Sequence, residues 1–289
     1  MTRLAFAGNR SAVLDLLLDE VGEVAPIWAV EGSWLARDLD DRGIEHRPLR
    51  RDSFVDEVAD AEFDVLVLNG CPVILPPHLL GRDDRRVVNI HPSALPDLRG
   101  RDPIPGALLH GRASGATCHL VDAGIDTGAI ISRVELPLAD GIDAPVLYQL
   151  AFRAEVEVAR SALAAGFEPS GPQPVDDDVV TYRTDPDDRI IHLDEDPLAM
   201  VRRVRAFANR SQGARLRLGD EEVRVHGAEL VDSRYLTDRL DEVADTELVA
   251  AVEGRLLFRR GDRFVLFREV EPWNAGLRPG ARLDELQRT

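Results

Sequence analysis

VVNIHPSALPDLRGR, residues 87–101, opens as a short apolar strand and is stopped by Pro92, whose ring cannot continue a regular element. Asn89 and His91 stand two residues apart at the end of that strand, so their side chains leave it on one side. If the strand belongs to an open α/β sheet, this is the carboxyl edge, where such sheets hold ligands. An amide beside an imidazole offers a neutral donor and a proton-transfer group, the pair that a developing oxyanion requires. Taken alone, Asn-X-His at a strand end is equally what a satisfied polar turn looks like.

Upstream, apolar runs alternate with longer amphipathic ones. Residues 4–7 read as a strand and 12–20 as a helix, with Ser11 or Asn9 as its cap. Residues 27–30 and 33–42 repeat the unit, and residues 64–68 are apolar enough for a central strand buried on both faces. The alternation predicts an open, mostly parallel, Rossmann-like α/β sheet with flanking helices.

Downstream, GATCHLVDAGIDTGAII (115–131) reads as two extended segments joined by a loop carrying Asp122 and Asp126 between glycines. A carboxylate there could orient a histidine or take a proton; it could also be a turn former. Residues 145–165 keep helical spacing and close a first domain, 1–165. Residues 166–189 are rich in Pro, Gly and Asp, which is linker composition. A helix over 197–209 and short alternating runs then predict a smaller β-rich, OB-like barrel domain, 190–289.

The formal charge of −17 disfavours a polyanionic partner. All 35 basic residues are arginine, which excludes Schiff-base chemistry on lysine. No secretory leader or membrane-length apolar run is visible, and Cys71 and Cys118 read as buried small side chains, so a cytoplasmic setting is expected. The seven histidines show no metal-ligand spacing, and no metal is expected. His119 reads as a packed or edge residue and His110 as a favourable charge at a helix end.

NIHPSALPDLRG followed by GATCHLVDAGIDTGAII resembles the folate-dependent formyltransferases, whose catalytic trio lies in N-X-H-P-S and D-T/A-G. The resemblance puts Asn89, His91 and Asp126 on that trio and implies transfer from 10-formyltetrahydrofolate to an amine. It implies a pterin site made by the loop after the central strand (Asn69, Gly70, Cys71, Val73, Ile74, Leu75) and the loop before the aspartate (Val121, Asp122, Ala123, Gly124, Ile125). It implies an acceptor side at Ser93, Arg99, Gly100, Arg101 and Asp102. The stretches TYRTDPDDRIIHLDED and VRRVRAFANRSQGARL are similar, more weakly, to the C-terminal parts of methionyl-tRNA and nucleotide-sugar formyltransferases. Gly8-Asn9-Arg10 and Arg101-Asp102 depart from the tRNA enzymes' pattern.

The expected partner is therefore a small-molecule amine, with no nucleic acid and no membrane; a homodimer is left open. An amino sugar on a nucleotide comes first, for which arginines such as Arg99 and Arg101 suit a diphosphate. A hydroxyornithine-type amine, methionyl-tRNA, and water, as in a formyltetrahydrofolate hydrolase, are the alternatives.

Overall fold

A computed structural model describes residues 2–82, 84–175, 177–273 and 276–288. The chain separates into two compact units, residues 1–103, 113–137 and 149–182, and residues 104–112, 138–148 and 183–289.

The first unit is built on a seven-stranded sheet. Its strands are β1 (Leu4–Gly8), β2 (Val24–Val30), β3 (Arg47–Leu49), β4 (Val65–Asn69), β5 (Arg86–His91), β6 (Ser114–Leu120) and β7 (Ile130–Leu136), in the order β3-β2-β1-β4-β5-β6-β7. The strands from β3 to β5 pair in parallel, while β5–β6 and β6–β7 are antiparallel. The predicted mostly parallel sheet is present. Along β1, Leu4 and Phe6 enter one apolar cluster and Ala5 and Ala7 another, so the strand is buried on both faces and reads as an unbroken apolar run.

The helices of this unit are α1 (Ser11–Val21), α2 (Trp34–Arg42), α3 (Phe54–Asp60) and most of α5 (Ala144–Ala164), while α4 (Pro103–His110) falls almost wholly in the second unit. Ser33 caps α2 through its side chain, which accepts from the Ala36 amide at 3.1 Å. The cap expected of Ser11 or Asn9 is absent. Arg10 occupies the cap position of α1 and makes no side-chain capping bond, since a guanidinium only donates and cannot accept from a backbone amide.

Residues 166–182, although of linker composition, are tied to the first unit. The Ser170 amide donates to the Ile130 carbonyl at 2.7 Å and the Ile130 amide to the Gly171 carbonyl at 2.9 Å, and Tyr182 pairs with Arg99, its amide donating to the Arg99 carbonyl at 2.8 Å. Proline and glycine mark here an irregular strap, with its polar backbone satisfied by neighbouring loops.

The second unit carries helix α6 (Pro197–Ala206) and a five-stranded antiparallel sheet of β8 (Ala214–Leu218), β9 (Glu221–Val231), β10 (Leu248–Val252), β11 (Arg255–Arg260) and β12 (Arg263–Glu271), ordered β10-β11-β12-β9-β8. Alternate residues Leu216, Val223, Val225, Phe258, Val265 and Phe267 form its core with Met200, Val201 and Val204 of α6. Short helices α7 (Arg234–Thr237) and α8 (Leu283–Arg288) complete it. Among the described residues, no helix is long and apolar enough to cross a membrane.

The close approach of β1 and β4 makes one residue decisive. A Cβ on Gly8 would lie 1.9 Å from the Asn69 carbonyl oxygen, far inside van der Waals contact. Gly8→Ala is expected to cost about 1–3 kcal/mol by overpacking, read as a lower urea midpoint; an unchanged midpoint would contradict this packing.

Candidate active site

β5 ends in Asn89 and His91, and the turn that follows is stitched down from beneath. Ser93 is fully buried, its hydroxyl donates to the Asp97 carbonyl at 2.9 Å, and its own carbonyl accepts from the Thr117 hydroxyl at 2.7 Å. Leu98 follows with φ at 57°, a left-handed conformation unusual for a branched residue, and its side chain is wholly buried. This turn brings the Leu98 carbonyl to 2.9 Å from His91 Nε2. A carbonyl only accepts, so Nε2 carries the proton and Nδ1 presents its lone pair. Nδ1 lies 3.7 Å from Asp126 Oδ2. His91 is 5% exposed, and burial pushes its pKa below the ordinary value despite the attraction of Asp126.

Asp126 arrives from the loop between β6 and β7, itself left-handed at φ 53°. The loop is closed by the Leu120 amide donating to Ala129 at 2.9 Å, with Gly128 pressed against the Leu120 carbonyl so closely that a Cβ would fall 1.8 Å from it. Asp126 Oδ2 accepts from the Gly100 amide at 2.9 Å, and Oδ1 stands 3.4 Å from Asn89 Nδ2 and 3.6 Å from His119 Nε2. Burial raises its pKa. The proximity of His119 and of His91 and the hydrogen bond from the Gly100 amide outweigh that and hold it at about 2. The carboxylate is therefore ionised beside a neutral imidazole.

His119 is packed, as its reading has it, at 2% exposure, but it also stands beside Asn89 and Asp126, a place that the reading did not give it. The antiparallel pairing of β5 and β6 sets His119 directly opposite Asn89. Its Nδ1 donates to the Leu120 carbonyl at 2.8 Å, leaving Nε2 to accept from Asn89 Nδ2 at 3.3 Å. Gln173, from the strap, is a second residue that the sequence reading missed. Its amide nitrogen donates to the Asp126 and Gly128 carbonyls at 2.7 and 2.9 Å, and its oxygen accepts from Arg99 Nη2 at 2.7 Å. Cross-strand register would have revealed His119; nothing local marks Gln173.

The two loops expected to grip a pterin share one apolar cluster, with Leu75 in its core and Cys71, Val73 and Val121 packed against it. Ile74 and Ile125 are exposed at 77% and 50%. Leu75, at 4% exposure, is a packing residue and can meet a ligand through its backbone only. Asp122 is spent on its own loop, accepting from the Gly124 amide at 3.1 Å and the Thr127 hydroxyl at 2.6 Å; Ala123, like Gly124, is exposed. Burial pushes the Cys71 thiol up to about 11 and the Cys118 thiol to about 12, so both stay protonated.

On the expected acceptor side, Ser93, Gly100 and Arg99 are structural. Ser93 is buried in its turn, Gly100 anchors Asp126 with φ at 102°, and Arg99 is bound to Gln173. Arg101 is exposed and contacts the half-buried Asp102 at 3.3 Å. Among the described residues, no group of His, Cys, Asp and Glu is placed to hold a metal.

Residues 32–163 match the family described as formyl transferase. Methionyl-tRNA formyltransferase of Bordetella petrii is 36% identical over 203 residues, covering 65% of this chain and 62% of that protein. Phosphoribosylglycinamide formyltransferase of Mycobacterium tuberculosis is 39% identical over 105 residues, 36% of this chain and 49% of that protein. The chain thus spans less than two thirds of the length of both. In fold, an N-formyltransferase from Helicobacter canadensis, solved with folinic acid and dTDP-3-aminofucose, superposes with a TM-score of 0.71 at 17% identity, covering 93% of this chain and 100% of that one.

The paired states of His91 and Asp126 predict an acid response. An unfolded histidine protonates below about pH 6.5, whereas folded His91 resists, so the unfolded state binds more protons and stability falls as pH drops from 7 to 5. The contribution of Asp126, whose folded pKa is depressed, persists above about pH 4 and is lost only toward pH 2. Urea unfolding at pH 7 and pH 5 should therefore show a smaller loss in His91→Gln than in the parent; equal losses would mean that His91 is not held neutral.

Proposed function

We propose that the chain, whose residues 32–163 match the formyl transferase family, moves a formyl group from 10-formyltetrahydrofolate to the amine of a small molecule, in the first instance an amino sugar carried on a nucleotide. The convergence of Asn89, His91 and Asp126, drawn from the end of β5 and a separate loop, carries this reading.

The residues present fit a folate. The half-buried Cys71, Val73 and Val121, packed against the cluster that holds Leu75, offer an apolar floor for a flat ring. Asn69 Oδ1 is a buried acceptor without a donor among the described residues, suited to the polar edge of such a ring. Gly70, at φ 68°, lets backbone come close where a side chain would collide with Asn9. Bound there, the folate supplies an activated formyl group.

The chain's own residues then divide the work. Asn89 holds its two N–H bonds to His119 and Asp126 at 3.3 and 3.4 Å, long enough to yield one of them to an oxygen gaining negative charge. His91, neutral with a free Nδ1, accepts the proton of the attacking amine, and Asp126 stabilises the imidazolium that results. His91 can then return the proton to the departing nitrogen.

The acceptor assignment draws support from the charge of −17 and from the Helicobacter canadensis enzyme, whose fold matches over nearly the whole chain. The higher identity to a methionyl-tRNA formyltransferase favours methionyl-tRNA among the alternatives. Purified protein with formylfolate should formylate a nucleotide-linked amino sugar in a panel that includes hydroxyornithine, methionyl-tRNA and a no-amine control. Preference for methionyl-tRNA, with affinity falling steeply in salt, would reverse the order; release of formate without an amine would make the chain a hydrolase. Asp126→Asn and His91→Gln should each lower kcat by about 100- to 1,000-fold, and undiminished turnover in Asp126→Asn would sink the mechanism.

A further inference from the structure

Arg10 stands at the start of α1 but points away from it. Its guanidinium lies 4.2 Å from the ring centroid of Phe152 on α5 and forms an ion pair with Glu155 one turn further along. Glu155 is 1% exposed, a rare position for a carboxylate. Burial pushes its pKa up, opposed by the charge of Arg10 and by hydrogen bonds to Arg10 and Asn69. Asn69, fully buried at the end of β4, donates through Nδ2 to the Ile90 carbonyl at 3.3 Å, and Ile90 is the residue between Asn89 and His91. Gly70 leaves the gap through which Arg10 passes: a Cβ there would sit 3.3 Å from Arg10 Nε.

Resting on the reading of the site above, we infer that Arg10 is a positioning residue: stacked on Phe152, it pairs with Glu155, and Glu155 in turn holds Asn69, whose amide pins the carbonyl between Asn89 and His91. A buried Arg–Glu pair adds little net stability over an apolar pair of equal volume, so its placement beside the reacting strand is better explained by geometry than by folding. The cation also reaches His91 and opposes its protonation, as does His119 from β6, while Asp126 favours it and Glu155 offsets the cation from α5.

Variants separate position from charge. Arg10→Lys keeps the cation and loses the planar fork and stack; Arg10→Met keeps volume alone; Glu155→Gln keeps hydrogen bonding without charge. Circular dichroism establishes that each folds. NMR of the ring-labelled histidines reads His91 without any substrate. Its titration midpoint should stay in place in Arg10→Lys and rise by about half a pH unit in Arg10→Met, since the Glu155 carboxylate left behind is either neutral or pushes the same way. In formyl transfer, kcat should fall about tenfold in Arg10→Lys and further in Arg10→Met, with KM within about twofold. A folded Arg10→Met with unmoved His91 titration and unmoved kcat overturns the inference. Should Arg10→Met not fold, Glu155→Gln decides: the uncompensated cation must lower the His91 midpoint, and no movement overturns it. If the titrations move as expected but the parent transfers no formyl group to any acceptor, the reading of the reaction fails and the positioning of Arg10 stands.

Discussion

A carboxylate mostly withdrawn from water has to be compensated, and at Asp126 the compensation comes from several separate stretches of chain: the Gly100 amide, the Asn89 amide at the end of β5, His119 on β6, and His91 at the start of the turn. Gln173 holds the same residue from behind through its carbonyl. Much of the local backbone follows from that demand. Gly100 must approach Tyr182 more closely than a Cβ allows, Gly128 must lie against Leu120, and Asp126 and Leu98 must both accept a left-handed backbone. Each is unfavourable alone, and together they keep one ionised group beside one neutral ring.

That division of charge explains why the neighbours differ in kind. His91 is enclosed and donates to a carbonyl, which disposes its other nitrogen toward the carboxylate without requiring a charge at rest. His119 donates to its own strand and receives from Asn89, so it orients the amide. Two histidines lie with ring centroids 6.5 Å apart, yet their partners assign them different tasks.

How much of this was legible follows from the range of each signal. Asn89 and His91 are visible because strand periodicity is two and Pro92 marks the strand's end, both local facts. The parallel sheet is visible because strands buried on both faces are apolar throughout. The place of His119 was missed because its meaning depends on register: only when β5 and β6 pair antiparallel does it stand opposite Asn89. Gln173 was lost inside a Pro- and Gly-rich stretch whose composition is the same for a free linker and for a strap packed on a loop. Ser93 was assigned to a ligand because its motif is exposed in the text of the sequence, although in the fold its hydroxyl turns inward to Asp97.

In the proposed reaction the site's chemistry does not by itself choose the acceptor, and the reason is physical. In that reaction the groups that move a proton and stabilise an oxyanion act at the donor's formyl carbon and at the attacking nitrogen, which every candidate amine shares. Discrimination must come from contacts further out, and of the residues first assigned to that side, three are committed to the scaffold while Arg101 and Asp102 remain accessible. A single exposed arginine beside a carboxylate is a poor grip for a polyanion, and the strongly acidic chain around it repels one. Specificity for a nucleic acid would need a basic face, and the sequence concentrates positive charge chiefly in residues 197–219, which hold six arginines and no acidic residue.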